Sequence, residues 1–182
     1  MEQQSESPPP SQQRATATAT KGGTDAVDAI IDQWRVARPD LRTDAMATFG
    51  RIYRLARIMG DRIEKIYQEY GISRGEFDVL ATLRRAPAPH TLSPRELTAA
   101  LMLTTGGMTG RLDKLERAGL VLRSPDPADR RGLRITLTDA GRTVTDQAVA
   151  AGLVEQQRAL SRLDDEQARQ LNELLRLLLI DI

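Results

Sequence analysis

Residues 92–138 read LSPRELTAALMLTTGGMTGRLDKLERAGLVLRSPDPADRRGLRITLT. The stretch opens on Ser93, Pro94 and Glu96. This is an N-cap, a proline at the first helical position and a carboxylate placed to reach back to the cap, and it predicts a helix to about Leu101. A second helix follows from about Thr105 to Ala118 and stops at Gly119, with Met108, Leu112 and Leu115 on its core face. Leu120–Arg123 and Leu133–Leu137 read as strands around a loop from Ser124 to Gly132. The resulting order is helix, turn, helix, hairpin.

A pair of helices in this arrangement braces one helix on the DNA backbone and offers the next to the major groove. The candidate reading helix begins Thr104, Thr105, Gly106, Gly107, Met108, Thr109, Gly110, Arg111. Each glycine weakens a helix by roughly 1 kcal/mol relative to alanine, so close approach of another surface, phosphate or a neighbouring helix, must offset the loss. The hydroxyls of Thr104, Thr105 and Thr109 suit phosphates or base edges, and Arg111 suits a guanine edge or a phosphate. Lys114 and Arg117 continue the basic side. Ser93 and Arg95, at the start of the bracing helix, complete the set. The residues alone also allow a glycine-softened helix in an ordinary bundle. A nucleotide cradle is disfavoured, because the glycines follow no strand and no Gly-Lys-Ser/Thr closes them.

The hairpin loop carries Pro125, Asp126, Pro127, Asp129, Arg130 and Arg131. Two prolines stiffen it, and adjacent arginines at its tip suit the narrow, electronegative minor groove. Asp129 is placed to orient an arginine by a charge-assisted bond. A solvated charged turn is the plainer alternative. Between Ser93 and Arg134 there are eight basic residues (Arg95, Arg111, Lys114, Arg117, Arg123, Arg130, Arg131, Arg134) and five acids (Glu96, Asp113, Glu116, Asp126, Asp129). That local excess of three exceeds the formal +1 of the whole 182-residue chain, so any basic surface is concentrated here.

Working outward, residues 1–23 are a Pro-, Ser-, Gln- and Ala-Thr-rich tail, expected to be disordered. A helix is expected from Asp25 to Ala37, ended by Pro39. Another runs from a Thr43 cap to about Tyr70, with Met46, Phe49, Ile52, Tyr53, Ala56, Met59 and Ile63 as its apolar stripe, and ends at Gly71. Ser73 and Glu76 open a helix to about Arg85; Thr138 caps one closing helix, and Asp164 with Gln167 caps the last. The class is mainly α with a small β-hairpin. The chain divides into a tail (1–23), N-terminal helices (24–70), a central DNA-binding domain (71–138) and C-terminal helices (139–182).

The motifs resemble those of the MarR family of winged helix-turn-helix regulators. The likeness rests on Leu97-Thr98, Thr104-Thr105-Gly106, Met108-Thr109, Arg111-Leu112, Leu115-Glu116, Gly119-Leu120-Val121, Asp126, Asp129-Arg130-Arg131-Gly132, Leu137-Thr138 and Gly141. The family often carries Asn where Gly110 stands. The resemblance implies a homodimer whose first and last helices interlock, a role that Leu163, Leu171, Leu174, Leu175, Leu178 and Leu179 suit. It also implies a palindromic double-stranded operator with half-sites about 34 Å apart. A narrower likeness, to the urate-responsive branch, concerns Trp34 on an added N-terminal helix together with Asp78, Arg85 and Arg111. It implies a small organic anion, urate-like or another carboxylate, as effector of a repressor. Asp78 and Arg85 share one helix face about 10 Å apart along the axis, with room for an anion between. Packing filler for Trp34 and surface charge for Asp78 and Arg85 are equally open on the residues alone.

Other classes find little support. With no cysteine and a single histidine, His90 in a proline-rich turn, there is no nucleophile–base pair or metal set, so neither an enzyme nor a cofactor is expected. The polar start of the chain and the short Leu174–Ile180 cluster indicate neither leader nor membrane span, and a cytoplasmic location is the expectation. A dimeric helical adaptor of the same fold, without specific DNA binding, is the competing function.

Overall fold

The computed structural model describes residues 23–101 and 105–180, and for Thr105, Gly106 and Arg130 the backbone only. Residues 1–22 of the expected tail (1–23) and Thr104 lie outside the described residues. The elements are α1 (Ala26–Ala37), α2 (Asp44–Glu69), α3 (Arg74–Arg85), β1 (Thr91–Leu92), α4 (Pro94–Leu101), α5 (Thr105–Arg117), β2 (Val121–Asp126), β3 (Asp129–Leu137), α6 (Asp139–Leu160) and α7 (Asp165–Leu179). The chain divides into two compact units at Tyr53/Arg54, inside α2.

In the first unit, Asp25 caps α1, its carboxylate accepting from Val27 N at 2.7 Å and Asp28 N at 3.2 Å. Arg51 of α2 grips both acids, at 2.9 Å to Asp25 and 2.6 Å to Asp28. Val27 and Ile31 are buried, while Trp34 is exposed.

In the second unit, Leu80, Leu83, Leu97, Met108, Leu115, Val121 and Ile135 form the buried centre of a core shared by α3, α4, α5 and the sheet. The capping boxes close as expected. Glu76 accepts from Ser73 N at 2.8 Å, Glu96 from Ser93 N at 2.7 Å, and Gln167 Oε1 from Asp164 N at 3.1 Å. Thr138 Oγ1 accepts from Gly141 N at 2.9 Å. Gly71 and Gly119 end α2 and α5 at φ 73° and 70°, the left-handed backbone that glycine adopts without a Cβ clash.

Two expectations are corrected. The sheet has three antiparallel strands in the order β1-β3-β2, not two. Thr91 pairs with Thr136 and Leu92 with Ile135, and a two-residue strand shows no periodicity to read. The strands also run nearly to the tip of the hairpin. Ser124 pairs with Arg134, Pro125 with Leu133 and Asp126 with Asp129, leaving Pro127 and Ala128 as the turn. Pro125 is tolerated because β2 is an edge strand, where a missing N–H is harmless. His90 is a loop residue, as expected, with φ 59° and Nδ1 2.8 Å from Ala86 O.

The apolar stripe of α2 is largely uncovered. Met46, Phe49 and Tyr53 are exposed in the first unit and Leu55 in the second, whereas Ile63 and Tyr67 are buried. Helix α7 buries no residue. Among the described residues no helix is long and apolar enough to cross a membrane.

Candidate nucleic-acid interface and the arginine cluster behind it

Helix α5 is held by Met108, Leu112 and Leu115, each at most 3% exposed. This leaves Gly107, Thr109, Gly110 and Arg117 on the outside. A Cβ added to Gly110 meets nothing within 4 Å, so no neighbouring helix accounts for that glycine. Arg117 donates from Nε to Asp113 O at 3.1 Å and remains exposed.

The acids of this region are bound by groups of the fold itself, although Glu96, Asp113 and Glu116 stay about half exposed. Arg123 of β2 pairs with Asp113 and, at 3.3 Å, with Glu116, fastening the hairpin to α5. Arg134 of β3 pairs with Asp126 at 3.1 Å and Glu96 at 3.7 Å, fastening it to α4. Asp129 does not hold an arginine side chain as expected. Its carboxylate accepts from Arg131 N at 2.9 Å, and that of Asp126 from Ala128 N at 2.9 Å, so both acids shape the turn. Local backbone amides compete well for a short carboxylate. All five acids of the segment are thus engaged within the fold. Arg95 and Arg131 are exposed and, among the described residues, have no acid partner. Ser93, Arg95, Asp126, Asp129 and Arg131 border one hollow of about 360 Å³ between the start of α4 and the hairpin. Of Thr105 and Arg130 only the backbone is described.

Lys114 and Arg111 occupy a different flank of α5, facing the start of α3. Lys114 Nζ is 3.6 Å from Glu76 Oε1. The Arg111 guanidinium lies against Gly75, where an added Cβ would be 2.7 Å from its Cζ. Arg111 acts electrostatically on Asp78, together with Arg74 and Arg85. Burial pushes the Asp78 carboxyl above the usual aspartate value, and the three arginines only partly offset this. Arg85 donates to Thr82 Oγ1 at 3.3 Å, and Thr82 donates to the main-chain carbonyl of Asp78 at 2.8 Å, which ties Arg85 to the backbone of α3 rather than to the Asp78 carboxylate.

Of the expected anion set, Arg111 and Arg85 both act electrostatically on Asp78. Trp34 belongs to the first unit. Arg74 was missed, although the pattern holds the clue: positions 74, 78 and 85 are spaced four and seven apart, on one helical stripe. Asp78 and Arg74 border a mostly apolar groove of about 790 Å³ lined also by Tyr67, Phe77, Leu163 and Leu171.

The geometry is that of a helix-turn-helix followed by a hairpin, and the comparisons agree. Residues 70–132 match the model of the MarR family. The HTH-type transcriptional regulator PecS of Dickeya dadantii is 38% identical over 149 residues, spanning 82% of this chain and 90% of PecS. The chain belongs to the MarR family. A MarR family regulator from Streptomyces coelicolor superposes with a TM-score of 0.65 at 26% identity, covering 75% of this chain and 94% of that one. BpsR of Bordetella bronchiseptica, whose DNA binding is regulated by 6-hydroxynicotinic acid, gives 0.57 at 25% identity, covering 70% and 98%. MarR family members are transcriptional regulators rather than enzymes, and this chain is a DNA-binding transcriptional regulator with a winged helix-turn-helix.

Proposed function

We propose that this regulator is a homodimeric repressor that holds a palindromic operator and leaves it when a small organic anion, urate-like or another carboxylate, binds. The pairing of all five acids between Ser93 and Arg134 with arginines or amides of the same segment carries the DNA half of the reading. It leaves Arg95, Arg117 and Arg131 to meet phosphate, beside Thr105, Thr109 and Arg130. Arg111 and Lys114 join them when they leave the flank of α3.

The anion half rests on α3 carrying Arg74, Asp78 and Arg85 on one stripe, with Arg74, Arg111 and Arg85 each acting electrostatically on Asp78, a set with a net positive charge. The relative BpsR responds to an aromatic carboxylate, and a ring of that kind suits the arginines of this cluster. The part of Trp34 as stacking partner rests on the resemblance alone. Dimerisation is supported by Leu171, Leu174, Leu175, Leu178 and Leu179 of α7, all uncovered, which is more apolar surface than a single helix leaves in water without a partner.

Fluorescence anisotropy with the promoter DNA of the adjacent gene tests the reading, with light scattering for mass. A dimer should bind, with log K falling linearly as log salt rises. Millimolar urate, 6-hydroxynicotinate or citrate should release the DNA and quench Trp34 emission. A dimer that binds no promoter DNA would instead be an adaptor of this fold.

A further inference from the structure

Gly75 is the second residue of α3, in helical backbone without a positive φ. Alanine would be a better helix former there. What the position lacks is room. A Cβ on Gly75 would lie 2.7 Å from Arg111 Cζ, 2.8 Å from Nε and 2.9 Å from Nη2. Three guanidinium atoms at nearly equal distance mean that the group lies across the bare Cα.

The place is electrostatically poor for a cation. The first turn of a helix presents the positive end of its dipole, which favours anions. Among the described residues no acid forms an ion pair with Arg111. Asp78, one turn further along α3, supplies attraction from a distance, and Glu76 is taken by Lys114 and its capping box with Ser73. The bare Cα therefore gives the guanidinium room at a place where, among the described residues, the attraction on it comes from Asp78 rather than from an ion pair.

We propose that Gly75 is a positioning residue: its missing side chain makes the seat that withdraws Arg111 from the DNA side of α5. This rests on the reading of Arg111 as a DNA contact, and it adds the element that sets how much of the time that contact is available. Any side chain at 75 evicts Arg111. The eviction is sterically easy, because the clash is with the end of a flexible side chain rather than with backbone.

The test is Gly75→Ala in the full-length protein, alone and combined with Arg111→Ala. The single variant should fold with an unchanged or raised melting temperature. Without anion it should bind promoter DNA about tenfold more tightly, the scale of one restored arginine contact, and it should respond less to the anion. With Arg111→Ala in place, the Gly75→Ala effect should vanish, as a double-mutant cycle requires of an effect carried by that one side chain. Unchanged DNA affinity in the single variant, or an effect that persists without Arg111, would overturn the proposal. A DNA-independent readout separates this from failure of the repressor reading. The Nε–H resonance of Arg111, assigned by its loss in Arg111→Ala, should shift and exchange faster with solvent in Gly75→Ala. If it does not move, the seat is refuted even where wild type binds no DNA at all.

Discussion

The carbonyl oxygen of Leu120 lies 2.0 Å from the position a Cβ would take on Gly141. Gly141 is in the first turn of α6, and Leu120 directly precedes β2, so two backbones touch where the hairpin enters and leaves the domain. The same junction is tied by Thr138 N to Leu120 O at 3.1 Å and Thr138 Oγ1 to Gly119 O at 2.8 Å. Backbone on both sides cannot yield as a side chain can. Gly141→Ala should therefore sit at or above the top of the roughly 1–3 kcal/mol range for overpacking. Thermal denaturation should show a fall in melting temperature on the order of 5–10 °C.

Gly110→Ala should do the reverse. Nothing lies within 4 Å of a Cβ there, and the residue is mid-helix, so alanine should add about 1 kcal/mol of stability. If the glycine serves close approach of DNA, the same variant should lose promoter affinity while its melting temperature rises. A gain in stability with unaltered affinity would show that the outer face of α5 does not need the gap.

Features whose chemistry is local could be read from the chain, and those that depend on distant partners could not. Ser73 and Glu76, or Ser93 and Glu96, are three residues apart, and their capping boxes follow from spacing alone. The core face of α5 follows from the period of Met108, Leu112 and Leu115. The contact of Gly75 with Arg111 joins two helices across 36 positions of sequence, and no local pattern announces it. Charge counting gives the net sign of the segment from Ser93 to Arg134 but not its arrangement, because Arg123 and Arg134 are committed to acids on α5, α4 and β2. The strands of the wing were read too short because Pro125 looks like a breaker until its place on a sheet edge is known.

Two carboxylates on α3 should respond to pH in opposite directions. Burial raises the Glu76 carboxyl, but bonds from Ser73 and the nearby Lys114 outweigh it and leave its value below the ordinary 4.5. Ionised Glu76 therefore contributes stability that is present above 4.5 and is lost as pH falls through the lower folded value. Asp78 has the opposite sign. Burial leaves it above the ordinary 3.8, so its contribution is present below 3.8, where it is protonated, and is lost as pH rises through the folded value. Urea melts from pH 7 to pH 3 should show Glu76→Gln less stable than wild type at neutral pH, with the gap closing in acid. Asp78→Asn should be more stable than wild type at neutral pH, its advantage also closing in acid. Deficits or gains independent of pH would place both effects in packing rather than charge.

The wing offers the sharpest test of how DNA is held. Arg131 is exposed and, among the described residues, is engaged through its backbone N–H alone, while the acids beside it are occupied by Arg134 and by turn amides. Replacing Arg130 and Arg131 together with alanine removes two charges from the tip without disturbing a described ion pair. Stability should stay within about 0.5 kcal/mol of wild type, as for surface changes away from caps and core. Affinity should fall for promoter and unrelated DNA alike, and the slope of log K against log salt should shrink by about two, one for each lost phosphate contact. A loss confined to the promoter would mean that the arginines read sequence through the shape of the minor groove, since width-dependent readout discriminates between sites whereas phosphate neutralisation does not. An unchanged slope with unchanged affinity would remove the wing from the interface and leave α5 and the start of α4 to hold DNA alone.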